Sequence, residues 1–307
     1  MDKNMDFKTL KFEDATRLSR IFSLRDNRTC DSTVIDTYIW NGLYKSKIYL
    51  EDEAALIVME DKDGFFAAMP YCTEDRLVEY FEKLKNYFNT VLNCPLRIQL
   101  ADEEAMNAIG LFDDPDYMVN EEIDLKDYLY SAEKMRTLAG GKLSKRRNKI
   151  NRFSREYAGI WEYRSLSRND SYIMEEFIDK WVERKLSDGT KYEENLMCEK
   201  EGIIDVLRNW DKVPFKAGGI FIRGRLEAFT IGSYNPREKM VIISVEKANR
   251  DIYGLYQVIN QQFLLNTYED AEIINKEDDM GLEELRFAKK GYRPIGFARK
   301  YQVIQKW

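Results

Sequence analysis

The sequence predicts an α/β (α+β) protein of two similar halves, each a mixed sheet flanked by helices. Two observations carry this expectation. The succession hairpin, helix, strand, helix, strand reads twice along the chain, and each half holds a strand–helix–strand crossover, which makes the joined strands parallel neighbours. A third is length, since 307 residues lie at the upper limit of what one hydrophobic core spans.

In the first half, "AALIVMEDKDGFFAAM" alternates and breaks at Asp63-Gly64, a hairpin signal. "TEDRLVEYFEKLKNYFNTVL" places Leu77, Phe81, Leu84, Phe88 and Val91 on one helical face, with Thr73 as its N-cap. The strand "LRIQLA", the helix "DEEAMNAIGLF" and a strand around "YMVNEEIDL" follow. The second half opens with "SYIMEEFIDKWVERKL", whose Ile173, Met174, Phe177, Ile178, Trp181 and Val182 recur at helical spacing. "GGIFIRGRLEAFTIGSYN" turns at Arg223-Gly224, and "KMVIISVE" adds a third strand. Helix "GLYQVINQQFLLNTY", strand "AEIINKE", helix "GLEELRFAKKGY" and a strand pair around "FARKYQVI" complete it. The expected units are residues 1–139 and 158–307, joined by a helix over 140–157 whose stripe of Leu143, Ile150, Phe153 and Tyr157 asks for burial.

The net charge of −6 excludes a globally basic nucleic-acid coater and leaves room for local basic patches. The chain is 44% hydrophobic and 13% aromatic, which argues against disorder. A charged N-terminal stretch and the absence of any long apolar run predict a cytoplasmic protein with no transmembrane segment. Four cysteines without a CxxC pair read as buried thiols. With no histidine, Ser–His and Cys–His nucleophile pairs and imidazole metal sites are excluded. The acidic run "NKEDDMGLEE" lacks the sixth-position glycine of a calcium loop, so no metal is expected.

If "KMVIISVE" and "AEIINKE" are parallel neighbours, their carboxyl ends open on one side of the sheet, where open α/β sheets seat ligands. Glu246, Asn249 and Arg250 follow the first strand, and Asn275, Glu277 and Asp279 the second. Between them, the helix starting near Gly254 offers free N–H groups and a positive dipole end. The basic run "GGKLSKRRNKINRF" adds Lys145, Arg146 and Lys149, suited to a discrete phosphate. The blander alternatives are solvated loops at the strand ends and a solvated face on the basic helix.

"KRRNKINRF" together with "NKEDDMGLEELRFAKKGYRP" resembles bacterial proteins related to the C-terminal domain of phosphatidylglycerol lysyltransferases. The residues carrying the resemblance are Lys145, Arg146, Asn148, Ile150, Asn151 and Phe153, then Asn275, Glu277, Asp279, Gly281, Leu282, Leu285, Arg286, Lys289, Tyr292 and Pro294. The segment "EKANRDIYGLYQVINQQF" between them is similar as well. The resemblance covers nearly the whole chain and implies two tandem domains of the Gcn5-related N-acetyltransferase (GNAT) fold. It also implies transfer of an acyl or aminoacyl group, from an acyl-CoA thioester or an aminoacyl-tRNA ester, to an amine or hydroxyl.

Two features depart from that fold's acetyltransferases. The pyrophosphate turn "NRDIYGLY" keeps only Gly254, with Ile252 or Tyr256 at a small-residue position. The Tyr-x-x-x-Gly-Phe pattern reads Phe287 to Gly291-Tyr292, without the tyrosine that protonates a leaving thiolate. On this reading Glu246 or Asp279 is the candidate base. Lys145, Arg146, Lys149, Asn249, Arg250 and Gly254 hold donor phosphates. Asn275, Glu277 and Arg286 orient the acceptor, or in the case of Arg286 brace the last helix. Coenzyme A or acyl-CoA is one possible co-substrate and aminoacyl-tRNA the other, with a small molecule or lipid headgroup as acceptor. No tightly bound cofactor is implied. The rival expectation is a non-catalytic module binding a phosphorylated small molecule or an RNA end.

Overall fold

The computed structural model describes residues 5–189 and 192–307. The chain begins with β1 (Lys8–Thr9), α1 (Ala15–Phe22), α2 (Val34–Ile39), α3 (Asn41–Tyr44), β2 (Lys47–Glu51), β3 (Ala54–Asp61), β4 (Gly64–Ala67) and β5 (Tyr71–Cys72). It continues through α4 (Leu77–Thr90), β6 (Arg97–Asp102), α5 (Glu103–Ala108), β7 (Tyr117–Glu121), β8 (Asp127–Ser131), α6 (Ala132–Thr137) and α7 (Ser144–Glu156). Next come β9 (Trp161–Leu166), α8 (Ser171–Ser187), α9 (Glu193–Arg208), β10 (Lys216–Ile222), β11 (Arg225–Asn235) and β12 (Met240–Ala248). The last elements are α10 (Leu255–Asn266), β13 (Ile273–Asn275), α11 (Glu283–Lys290), β14 (Gly296–Ala298) and β15 (Lys300–Gln305).

Among the described residues the strands form two mixed sheets flanked by helices. The first has the order β1-β2-β3-β4-β6-β15-β7, with β5 pairing β3. The second has the order β14-β8-β13-β12-β11-β10-β9. The crossovers through α4 and α10 make β4–β6 and β12–β13 parallel, as the sequence predicts, and the remaining pairs are antiparallel. The repeat is now explicit: β2-β3-β4-β6 corresponds to β10-β11-β12-β13, and β7 to β14.

One place in each sheet is filled from the other half of the chain. The C-terminal β15 lies between β6 and β7 in the first sheet, and β8 lies between β13 and β14 in the second. The division at residue 139 therefore does not match the sheets. Residues 127–137 pair and pack with the second half, and 300–305 with the first. Pairing partners are nonlocal, so alternation along a strand cannot say which sheet receives it.

The exchanged strands are tied together by charge. Lys300, 1% exposed, starts β15 and places Nζ 2.9 Å from Asp127 Oδ1 at the start of β8, where Asp127 is fully buried. Asp31 lies 3.2 Å from the same ammonium, and Cys30 Sγ 3.0 Å from it.

Elsewhere the halves meet through a shared apolar core. Tyr38 and Ile39 of α2 pack with Ile178 and Val182 of α8 and Ile203 and Val206 of α9. At Gly202 a Cβ would lie 1.9 Å from the Ile39 carbonyl oxygen, so α2 and α9 cross in backbone contact. The helix face predicted on α4 is buried through Phe88, but Val91 is 52% exposed just past its end. The first hairpin turns at Lys62-Asp63, one residue earlier than expected, because Gly64 pairs with Asp61. The Arg223-Gly224 turn is as predicted, with Ile222 opposite Arg225.

The basic run becomes α7, and its apolar stripe is used as expected. Phe153 is fully buried with Leu255, Val258 and Ile259 of α10, a burial of about 1.5–3 kcal/mol for such a side chain. Several of its charges brace neighbours. Arg147 donates to the carbonyls of Leu138 and Gly140, closing the preceding loop. The Arg152 guanidinium lies 4.5 Å above the Tyr253 ring.

Candidate functional site

The second sheet opens where β12 and β13 part. They pair only from Met240↔Ile273 to Ile242↔Asn275. On the other edge of β12, the register with β11 steps from Ile231↔Val245 to Gly232↔Ile243, so Ser244 is an unpaired bulge residue. A bulge beside a strand divergence re-aims side chains and frees backbone groups, and such irregularities gather at sites. From Ile243 onward one edge of β12 has no strand partner among the described residues.

Glu246 lies in this crevice. Lys276 Nζ is 2.9 and 3.0 Å from its two oxygens, and Asn260 Nδ2 donates to Oε2 at 2.8 Å. Both members of the ion pair are mostly buried, Lys276 at 10% and Glu246 at 17% side-chain exposure. With both oxygens occupied by a cation, Glu246 is an anchor for Lys276 more than a free base.

The first half adds Asp36 from α2. It is 8% exposed, and its Oδ2 has no hydrogen-bond partner. Burial, reinforced by the charge of Asp31, pushes its carboxyl up to about 7, while Lys300 and the Ser244 side chain oppose the rise. A carboxyl poised near neutrality beside a strand bulge has the tuning of a general acid–base group. Glu277 is pushed up by burial and then by Asp36, and Asp278 by burial. Lys289 is pushed down by its own burial and donates to the carbonyls of Lys276 (2.5 Å) and Asp278.

Arg146 closes one side of the crevice. Its guanidinium lies 4.7 Å from the Tyr292 ring centre and donates to the Ala288 carbonyl at 3.2 Å. A Cβ on Gly291 would sit 1.9 Å from Arg146 Nη2, so the glycine makes room for the arginine. The two sequence motifs therefore touch each other. Lys276 also faces Tyr292, at 5.5 Å from its centre.

The other expected site residues fall into separate roles. Asp279 is not a base. Arg286 grips both its oxygens at 2.8 and 2.9 Å, Tyr128 and the Gly281 N–H donate to it, and its carboxyl is held at about 2, first by Arg286. Arg286 also reaches Asp124 at 2.6 Å, so this pair braces α11 against the loop before β8. Asn275 is fully buried and donates to the Arg28 carbonyl (2.8 Å) and to Asp127 (3.0 Å), a structural link beyond reach of an acceptor. Glu277 sits in the crevice; Asn249 and Arg250 do not. Those two line a surface pocket of about 620 Å³ beside α8, where Asn249 donates to Glu227 (3.0 Å) and Arg250 pairs with Asp188 (2.7 Å).

Gly254 has φ +85°, a left-handed conformation that favours glycine. A Cβ there would lie 2.7 Å from the Lys149 carbonyl oxygen of α7. The glycine admits a neighbouring helix, and the nearest group is an acceptor that repels phosphate. This turn does not fit a coenzyme A pyrophosphate. Lys149 extends toward Tyr253 (5.4 Å), its amine pushed down by burial and by Arg146, while Lys145 is exposed.

Sequence reasoning missed Asp36 and Lys276. For Asp36 a signal existed in "VIDTYI", one carboxylate on a short helix whose Val34, Ile35, Tyr38 and Ile39 are all core. Among the described residues there is no cluster of three metal-ligating side chains, and no helix is long and apolar enough to cross a membrane.

Comparison with known proteins gives this arrangement relatives. A protein of unknown function from Bacteroides thetaiotaomicron superposes with a TM-score of 0.89 at 24% identity, over 98% of this chain and all of that one. The C-terminal domain of a putative lysylphosphatidylglycerol synthetase from Agrobacterium fabrum gives 0.66 at 12% identity, over 96% and 92%. L-PGS from Bacillus licheniformis gives 0.64 at 14%, over 97% and 93%. At these identities the likeness shows a shared fold. An uncharacterized protein of Mycoplasmoides gallisepticum is 23% identical over 177 residues, which is 58% of this chain and 55% of that protein. The model of the family described as phosphatidylglycerol lysyltransferase, C-terminal, matches residues 22–304, and the chain belongs to that family.

Proposed function

We propose that the chain is an aminoacyltransferase moving an aminoacyl group from an aminoacyl-tRNA ester to an amine or hydroxyl of a lipid headgroup or small-molecule acceptor. The observation that carries this reading is the crevice at the β12–β13 divergence, with the near-neutral Asp36 carboxyl beside the Ser244 bulge. Family membership, and the lysylphosphatidylglycerol synthetase named among the structural relatives, support the same class of reaction. The filled Gly254 turn speaks against acyl-CoA as donor.

In this mechanism Asp36 takes the proton from the acceptor as its oxygen or nitrogen bonds to the ester carbonyl carbon. The carbon–oxygen bond to the ribose breaks, and the proton passes to the departing ribose hydroxyl, so Asp36 ends as it began. Backbone donors on the unpaired edge of β12 stabilise the developing oxyanion.

The test is transfer of radiolabelled amino acid from charged tRNA to phosphatidylglycerol vesicles or to soluble amines, with acetyl-CoA as the competing donor. Asp36→Asn should lower kcat at least a hundredfold and remove an acidic limb near pH 7 while leaving KM for tRNA within about threefold. Turnover with acetyl-CoA alone, or full activity in the Asn variant, would sink this reading. Binding of charged tRNA without turnover would favour the non-catalytic rival.

A further inference from the structure

The pocket beside α8 is separate from the crevice. It lies at the carboxyl end of β12 and is walled by α8 and the tip of the β10–β11 hairpin. Glu246, by contrast, faces Asn260 of α10 across the sheet from α8. Seven lysines and arginines line the pocket against four carboxylates, a local excess of positive charge on an acidic chain.

Five of the cations are already paired. Arg164 holds Asp170, Lys180 holds Glu176, Arg184 holds Asp251, Arg225 holds Glu227 and Arg250 holds Asp188. Among the described residues Arg223 and Lys185 have no carboxylate partner. Arg223 also occupies a left-handed position, φ +50°, in a two-residue hairpin turn where asparagine or glycine is the usual choice. The chain thus holds an unpaired guanidinium at a conformationally costly place on the pocket rim.

The walls add aromatic surface. Tyr172 is 71% exposed at the pocket. The Trp181 indole has Lys247 Nζ 4.4 Å and Lys185 Nζ 5.4 Å from its ring. Unpaired cations beside an exposed tyrosine ring and a half-buried indole suit a phosphate joined to a planar ring, and about 620 Å³ is room for one such unit.

We propose that this pocket binds a nucleotide unit, its phosphate held by Arg223 and Lys185 and its base lying on Tyr172 and Trp181. The proposal does not rest on the aminoacyl-transfer reading. The ligand is either a free nucleotide or one residue of a single-stranded RNA, and the chemistry recognised is the same.

The test is calorimetric titration of the full chain with AMP, ADP and a single-stranded RNA tetranucleotide at low salt. Saturable binding is expected, weakened at least tenfold in Arg223→Asn/Lys185→Gln and by Tyr172→Ala. The Asn at 223 suits the turn, so an unchanged melting temperature should certify the fold. Asp36→Asn should leave binding untouched, which keeps this result apart from the fate of the catalytic proposal. RNA binding tighter than AMP by tenfold or more assigns the unit to RNA, and equal affinities assign it to a free nucleotide. Absence of saturation with all three probes, or binding indifferent to the pocket variants, overturns the proposal.

Discussion

Lys300→Met tests the lock between the exchanged strands. Methionine replaces the aliphatic stem at similar volume and removes only the ammonium. Asp127 is then left fully buried, with Asn275 Nδ2 at 3.0 Å and the Cys30 N–H as its remaining donors. Removing one partner of a buried ion pair costs about 3–5 kcal/mol, a large part of the roughly 5–15 kcal/mol that holds a typical native chain. At about 2–4 °C per kcal/mol, the melting temperature should fall by roughly 6–20 °C. Both sheets contribute a strand to this lock, so they should unfold in one transition. Lys300→Met/Asp127→Asn removes both charges and leaves chiefly an unsatisfied amide, about 1–3 kcal/mol, so the double variant should be more stable than Lys300→Met alone. Urea denaturation followed by circular dichroism measures all three proteins, and 0.5 M salt should change the differences little because the pair is buried. A shift below about 2 °C for Lys300→Met, or simple additivity in the double variant, would refute the argument.

Three further outcomes follow from the same geometry. Gly254→Ala should destabilise the unliganded protein by at least about 1 kcal/mol, because it meets both a left-handed φ and the Lys149 carbonyl at 2.7 Å; a loss seen only in ligand binding, with melting unchanged, would restore the phosphate-cradle role. Asp279 sits at about 2 against an ordinary 3.8, so its contribution is present above pH 3.8 and disappears as pH falls toward 2. Asp279→Asn should cost on the order of 2 kcal/mol at pH 7 with turnover per folded molecule retained, measurable by urea titration at pH 7 and pH 3. Asp36 is shifted the other way, from 3.8 to about 7; the folded chain binds more protons than the unfolded one between those values, so stability from this group falls as pH rises from 4 to 7. Asp36→Asn should flatten that fall and raise the pH 8 stability, and a variant less stable than the parent at pH 8 would contradict it.

Much of the fold is readable because local chemistry reports it. The Arg223-Gly224 turn, the α4 and α8 faces and the α7 stripe all follow from residue types a few positions apart. The exchange of β8 and β15 does not, because a strand's alternation is the same whichever sheet receives it. Strand ends were legible as polar clusters, yet the face each residue takes was not, since the bulge at Ser244 resets the alternation between Glu246 and the start of β12. Asn249 and Arg250 lie past the end of β12, where the chain turns toward α8, and so belong to a different pocket from Glu246. Asp279 looked catalytic as one acid in an acidic run, and only the grip of Arg286 and Tyr128 shows it to be a brace.

The strand exchange also explains how the crevice stays open. When β13 leaves β12 after Asn275, its backbone groups need new partners, since unpaired buried amides and carbonyls are costly. The Glu277 N–H turns to Asn275 Oδ1 at 2.6 Å, while β8, already paired on the far edge of β13, keeps its hold: the Lys276 N–H donates to the Tyr128 carbonyl, and the Tyr128 N–H donates to the Glu277 carbonyl, both at 3.1 Å. Lys276 and Glu277 are thereby held away from β12 by a strand whose first residue, Asp127, is clamped by Lys300 of the other sheet. Asp36 of α2, in the first half, stands near enough to raise the Glu277 carboxyl by its charge. The candidate site thus draws a carboxyl from one half, an opened strand edge from the other, and its width from the strand they exchange. Neither half folded alone would assemble it.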